Sequence, residues 1–349
     1  MDPNAKKSNL VNKLNREQAI SRLKKEHFPR KTISFYRYTI LEDPYKLRDI
    51  LFQEWNSLNV LGRIYLANEG INAQLSLPEN NWDIFKAQLY CHQPFKNMPF
   101  KHALREDHIS FLKLTIKVRN QIVADGLSQN EYDVTNVGKH LTAREWNEEI
   151  DQGAIVVDVR NHYESEVGRF QGAICPQVET FQDELPFIKE TLKGEEGKKI
   201  LLYCTGGIRC EKTSAYLKYH GFKDVNQLHG GIIDYARQLK KDKTISNKFK
   251  GKNFVFDERL AERISDEIIS NCHQCEAPAD THVNCVNVNC NLLFIQCNSC
   301  SKKHKECCSP ECINIIQLTD EQQKSLRAGV SHKKRFHSHK KIDLKKAFK

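Results

Sequence analysis

Between residues 141 and 243 short apolar segments alternate with helical stretches, and this alternation constrains the chain more than any other feature. AIVVDV and ILLYC are too short for helices and too uniformly apolar to keep one face in water; VNQL follows them after a helical stretch from Lys212 to Tyr219. Strands buried on both faces and joined by helices form a parallel sheet with helices on either side. Thr142-Ala143-Arg144-Glu145 has capping-box spacing, so a helix opens the unit.

Open α/β sheets bind ligands beyond the carboxyl ends of their strands, and ILLYC ends there in Cys204. Thr205, Gly206, Gly207, Ile208 and Arg209 follow, and then the helix. Backbone N–H groups, a helix N-terminus and the Arg209 charge all favour thiolate over thiol at such a position. Gly206 and Gly207 let the backbone curl around the sulfur without a Cβ. Cys210 reads two ways, as a thiol that resolves a mixed disulfide with Cys204 or as a small apolar contact in the first helical turn. Taken alone, Cys-x4-Arg also fits a buried strand-end cysteine.

Residues 31–126 read as a separate α+β domain. TISFYRY is a strand, and Leu47, Ile50, Leu51 and Trp55 recur at helical spacing between Asp43 and Leu58. GRIYLA and GINAQLSL are strands around Asn68-Glu69-Gly70; a helix from about Trp82 to Tyr90 leads to the alternating strand ISFLKLTIKV. The order β-α-β-β-α-β is ferredoxin-like. Residues 1–30 form a charged extension without the apolar core of a signal peptide, and 127–140 a polar linker. No run of ~18 apolar residues occurs, so a cytoplasmic protein with no membrane association is expected.

Residues 244–318 are rich in cysteine, and 319–349 form a basic tail. Thirteen cysteines in a cytoplasmic chain serve catalysis, metal binding or packing rather than disulfides. The rich segment holds Cys272-x2-Cys275, Cys285-x4-Cys290, Cys297-x2-Cys300 and Cys307-Cys308-x3-Cys312. Two-residue spacing suits tetrahedral zinc, with Cys272, Cys275, Cys297 and Cys300 as candidate ligands. The odd total of nine keeps a reduced, metal-free cluster as the alternative. A net charge of +10 points to a polyanionic partner. Lys113, Lys117 and Arg119 end the last strand of the first domain as candidate RNA contacts, while Phe35, Tyr36 and Tyr38 either stack on bases or form core.

Asp158-Val159-Arg160 with Glu164, GRFQGA at 168–173, the six-residue loop Cys204 to Arg209 and His229-Gly230-Gly231-Ile232 resemble the rhodanese superfamily. The resemblance implies a rhodanese-like parallel-sheet catalytic domain over 141–243, a loop cysteine able to carry a persulfide, and supporting roles for Asp158, Arg160 and Glu164. NEGINAQLSL, LKLTIKVRNQIV, CTGGIRCEK, CHQC, LLFIQCNSC and CCSPEC extend the likeness over nearly the whole chain, to the tRNA uridine(34) hydroxylase (TrhO/YceA) family. That family implies a ferredoxin-like (acylphosphatase-like) domain ahead of the rhodanese-like one. It also implies tRNA as partner and oxygen-dependent hydroxylation of the wobble uridine to 5-hydroxyuridine, with Cys204 catalytic and Arg209 closing its loop. Molecular oxygen would be co-substrate, and no haem, GxGxxG or iron-triad motif identifies the electron donor. The rival readings are a rhodanese-type sulfurtransferase using a Cys204 persulfide and a non-catalytic RNA-binding adaptor.

Overall fold

The computed structural model describes residues 10, 14–104, 109–127, 131–328 and 344–348, which group into two compact units. The first comprises Met1–Arg160, Thr180–Ser246 and Phe256–Arg259, and the second Asn161–Glu179, Asn247–Val255 and Leu260–Lys349.

Two sheets build the first unit. One contains β1 (Arg30–Tyr38), β2 (Leu61–Ala67), β3 (Gly70–Pro78), β4 (Lys101–His102) and β5 (Leu114–Val118) in the order β4-β1-β3-β2-β5. The first four strands have the ferredoxin-like order, all antiparallel. ISFLKLTIKV reads as the fourth strand from its alternation, but the structure gives that place to the two-residue β4. β5 lies on the opposite edge, parallel to β2. Two residues are too few to show a period, and a period names a strand without naming its neighbour. Asp43 caps the helix Pro44–Ser57 by accepting from the Tyr45 and Lys46 N–H groups. Leu51 and Trp55 of that helix are fully buried, whereas Ile50, on the same apolar pattern, is exposed. The Phe35, Trp55 and Phe85 rings meet in the core, each burial stabilising by about 1.5–3 kcal/mol. Gly70 is required by close approach, because a Cβ there would collide with the Arg37 carbonyl across the β1–β3 pair.

The second sheet contains β6 (Lys139–Leu141), β7 (Ile155–Asp158) and the strands Lys199–Tyr203 and Asp224–Leu228, all parallel. Its order runs β6, Asp224–Leu228, Lys199–Tyr203, β7, with the Cys204 strand inside. The three expected apolar runs are all strands, and β6 joins them unannounced. The expected capping box is present: Thr142 N–H donates to Glu145 Oε2 at 2.9 Å, and the Thr142 side chain accepts from the Glu145 N–H. Within the charged extension a further helix, Arg16–Lys24, is capped by Asn15.

The second unit holds a sheet of Gly168–Phe170, Phe249–Phe254 and Ala261–Arg263, and a hairpin of His282–Asn284 with Leu293–Ile295. Residues 161–179 lie inside the stretch 141–243 yet group with the cysteine-rich segment. The cause is that Gly168–Phe170 pairs antiparallel with Phe249–Gly251 instead of joining the parallel sheet. Among the described residues, no helix is long and apolar enough to cross a membrane.

Candidate active site and cysteine clusters

Cys204 follows the strand Lys199–Tyr203 and has no exposed surface. The Gly207 N–H donates to its Sγ at 3.0 Å. Gly207, at φ +95°, caps the helix Ile208–Tyr219 in a conformation that favours glycine. Gly206 does not need to be glycine for space, since a Cβ there meets nothing within 4 Å; the steric role read into it from sequence does not hold. The loop carbonyls are held from the HGGI segment and the residue after it: Ile232 N–H donates to Cys204 O at 3.0 Å and Ile233 N–H to Thr205 O at 3.2 Å. Gly231 permits that approach, because a Cβ on it would stand 2.5 Å from the Cys204 carbonyl oxygen.

Burial opposes ionisation of Cys204. Nevertheless donation from the Cys210 thiol, the Arg209 guanidinium, and the Arg209 and Gly206 N–H groups hold it well below the ordinary thiol value. Burial and the neighbouring Cys204 push Cys210 well above its own, so Cys210 stays protonated and donates. Of its two sequence readings the structure shows the packed first-turn residue, hydrogen-bonded to the reactive sulfur. Thr205 and Ile208 supply backbone to the loop, and Arg209 is itself buried, 5.9 Å from the Phe256 ring. A sulfur reachable from solvent is the simplest expectation for a nucleophile, and the structure departs from it: the site is closed.

Side chains of the ferredoxin-like domain meet the helix that follows this loop. Tyr36 Oη donates to Glu211 Oε1 at 3.0 Å, and Tyr38 Oη donates to the Ile208 carbonyl at 3.3 Å. Lys101 Nζ lies 4.3 Å from the Tyr36 ring centroid. Burial lowers its ammonium to about 8, against the opposing pull of Cys204, Asp234, Glu211 and Cys210. Glu211 is half-buried, but hydrogen bonds with His140, Gln227 and Tyr36 outweigh the desolvation and hold it below the usual carboxylate range. Next to it, Lys212 Nζ is buried between Asp125 Oδ2 at 2.9 Å and Glu69 Oε2 at 3.1 Å. Sequence reasoning missed Lys101, Glu211 and Lys212, whose partners are distant along the chain. The alternation in TISFYRY held one usable signal: if Phe35 is core, Tyr36 and Tyr38 share another face.

Phe35 is core at 1% exposure, which corrects the base-stacking alternative for it; Tyr36 and Tyr38 are half-buried, with their hydroxyls bonded to Glu211 and Ile208. Lys113 just before β5, Lys117 within it and Arg119 just past it are all exposed, so the three are spread along the strand and do not gather at its end; Arg119 lies 5.7 Å from the Tyr65 ring. Asp158 and Arg160 form a fully buried bidentate pair at 2.7 Å, and Tyr203 Oη donates to Asp158 Oδ2 at 2.7 Å, bracing the residue before Cys204. Glu164 belongs to the second unit, where its carboxylate accepts from the Asn161 N–H at 3.1 Å. Most of the basic tail lies outside the described residues.

In the second unit Cys272, Cys275, Cys297 and Cys300 come together, as their spacing suggests, with all four Sγ atoms within 4.8 Å of one another. Cys285, Cys290, Cys308 and Cys312 form a second quartet within the same limit. Either donor set could hold a metal ion. The odd ninth cysteine is Cys307, buried outside both quartets.

A parallel sheet with a six-residue cysteine loop at its carboxyl edge, preceded by a ferredoxin-like sheet, defines a rhodanese-like protein with an added N-terminal domain. Family models agree: the UPF0176 acylphosphatase like domain matches residues 30–122, the rhodanese-like domain 142–238 and the rhodanase C-terminal domain 250–313. The chain belongs to the tRNA uridine(34) hydroxylase family. A relative of that name from Leptospira interrogans is 56% identical over 338 residues, which are 97% of this chain and 92% of the relative. Another from Cronobacter sakazakii is 48% identical over 322 residues, 92% of each chain. Among solved structures, a rhodanese-like domain protein from Staphylococcus aureus is 23% identical, with a TM-score of 0.24, over 28% of this chain and 90% of its own.

Proposed function

We propose that this protein is a cytoplasmic oxidoreductase that hydroxylates uridine 34 of tRNA at C5, giving 5-hydroxyuridine, with Cys204 as nucleophile. The observation that carries the reading is the Cys204 sulfur held ionised by N–H donors and Arg209, in a chain whose near-full-length relatives bear that activity in their names. Addition of the thiolate to C6 of uracil would place enolate charge on C5 and the neighbouring carbonyl oxygen. C5 then meets an oxidant, and loss of its proton and of the thiolate restores the ring. With molecular oxygen as co-substrate, C5–H becomes C5–OH and the second oxygen atom leaves as water, consuming two electrons and two protons from a donor outside this chain. Lys101, protonated at neutral pH, supplies a cation for the enolate oxygen. Because Cys204 is sealed, a flipped-out base reaches it only when side chains around the loop give way.

Lys113, Lys117 and Arg119 would contact tRNA phosphates, and zinc in the Cys272, Cys275, Cys297, Cys300 quartet would be structural, its four thiolates leaving no open position. A persulfide sulfurtransferase uses the same activated sulfur and is favoured by the six-residue loop. Nucleoside mass spectrometry of tRNA incubated with the protein in isotopically labelled oxygen separates the two. Labelled oxygen at uridine 34 supports hydroxylation. Sulfur gain, or no change, overturns it.

A further inference from the structure

The cysteine-rich segment presents eight of its thiols as four pairs along the chain: 272 with 275, 285 with 290, 297 with 300, and 308 with 312. The first and third pairs close on one point and the second and fourth on another. The sites therefore interleave. The hairpin His282–Asn284 with Leu293–Ile295 lies between them. Cys275 and Cys297 flank its open end, where His282 faces Ile295; Cys285 and Cys290 flank its tip, where Asn284 faces Leu293.

We propose that this segment is a cross-braced module holding two zinc ions, the second bound by Cys285, Cys290, Cys308 and Cys312. The proposal rests on zinc in the first quartet and adds both the second ion and the coupling between them.

Four sulfurs about 2.3 Å from one tetrahedral zinc stand about 3.8 Å apart. In the second quartet Cys290 and Cys308 are 3.5 Å apart and Cys308 and Cys312 3.7 Å; in the first, Cys275 and Cys297 are 3.6 Å apart. A disulfide needs about 2.05 Å, so these spacings fit a shared cation and no covalent pairing. The local backbone is shaped for the same purpose. Glu276 and Asn291, each following the second cysteine of its pair, adopt left-handed φ values of +62° and +49° without being glycine. Those turns close through Glu276 N–H to Cys272 O at 2.9 Å and Asn291 N–H to Asn287 O at 2.8 Å. Donors also reach the sulfurs: Asn287 Nδ2 donates to Cys312 Sγ at 3.3 Å and the Cys300 N–H to Cys297 Sγ at 3.4 Å, as outer-shell partners of metal thiolates do. Cys285, Cys308 and Cys312 are nearly sealed from water, where bare thiolates would be strongly disfavoured and zinc thiolates are not. A hairpin of three-residue strands is marginal on its own, so a metal at each end makes it one folding unit. Binding two Zn2+ displaces eight thiol protons and leaves each site with a net charge of −2.

Elemental analysis of the full-length protein, purified without chelator from zinc-containing medium, should give two zinc ions per chain. One zinc would leave the first quartet's reading standing and overturn the second site; none would overturn both; two iron ions would overturn the zinc assignment. Cys307→Ala should retain two zinc ions, and Cys308→Ala with Cys312→Ala should not. Under excess chelator both ions should leave in a single phase, because loss of one frees the hairpin that positions the other. Two phases of equal amplitude would overturn the coupling.

Discussion

Two regions of this chain bury sulfur, and they differ in what stands opposite it. At Cys204 the neighbours are N–H groups, a guanidinium and the protonated Cys210 thiol, so one sulfur can be ionised with no metal. In each quartet of residues 272–312 four sulfurs crowd within 4.8 Å of one another. Several charges of one sign cannot share such a volume without a cation among them. Donors around a lone thiolate yield a nucleophile, whereas thiolates around a cation yield a staple. Composition does not separate these two uses of cysteine; the local charge balance does.

The contrast is broken most severely at the nucleophile. Cys204→Ser should lower uridine 34 hydroxylation about a thousand-fold or more while zinc content stays at the wild-type value. An active Cys204→Ser protein would remove Cys204 from the chemistry. Next in size, Lys101→Met should lower the rate about ten- to a hundred-fold. In the wild type the rate should fall as pH rises through about 8, because Lys101, its value lowered by burial, sheds its proton there. The charges acting on Lys101 are those of Cys204, Asp234 and Glu211, and Lys101→Arg should remove that alkaline fall by staying charged. An unchanged pH profile in Lys101→Arg would deny the lysine its role. Gly231→Ala adds a Cβ 2.5 Å from the Cys204 carbonyl at a φ of +67°, so thermal melting should show a loss of about 1–3 kcal/mol. A variant as stable as wild type would show that the loop does not depend on that close approach. The smallest effect is expected at the RNA edge. Replacing Lys113, Lys117 and Arg119 by Gln should weaken tRNA binding and flatten its salt dependence by roughly two to three charge equivalents. An unchanged slope would move the phosphate contacts elsewhere.

What the sequence discloses follows the range of the interaction. Cys204, its loop, the Thr142–Glu145 cap and the strands AIVVDV and ILLYC are legible because strand, turn and helix are set by adjacent residues. β4 is not, being two residues long and held by pairing with β1. Nor are the Tyr36–Glu211 bond, the placement of Lys101 or the cage around Lys212, all formed between residues far apart in sequence. The cysteine segment shows the same divide. Two-residue spacing picks out the pairs 272/275 and 297/300, while the wider spacings of 285/290 and 308/312 conceal a second quartet that only the hairpin assembles. The closure of Cys204 was illegible for a related reason, since burial depends on the whole fold around it.

The ionisation of Cys204 at neutral pH is tested most directly by its thiolate ultraviolet absorbance, taken as wild type minus Cys204→Ser across a pH titration. Metal-bound thiolates contribute equally to both proteins and cancel. The difference should already be fully developed near pH 7 and should vanish only well below the ordinary thiol value. A difference that emerges only above about pH 8.5 would mean an ordinary thiol, and the nucleophile assigned here would not exist.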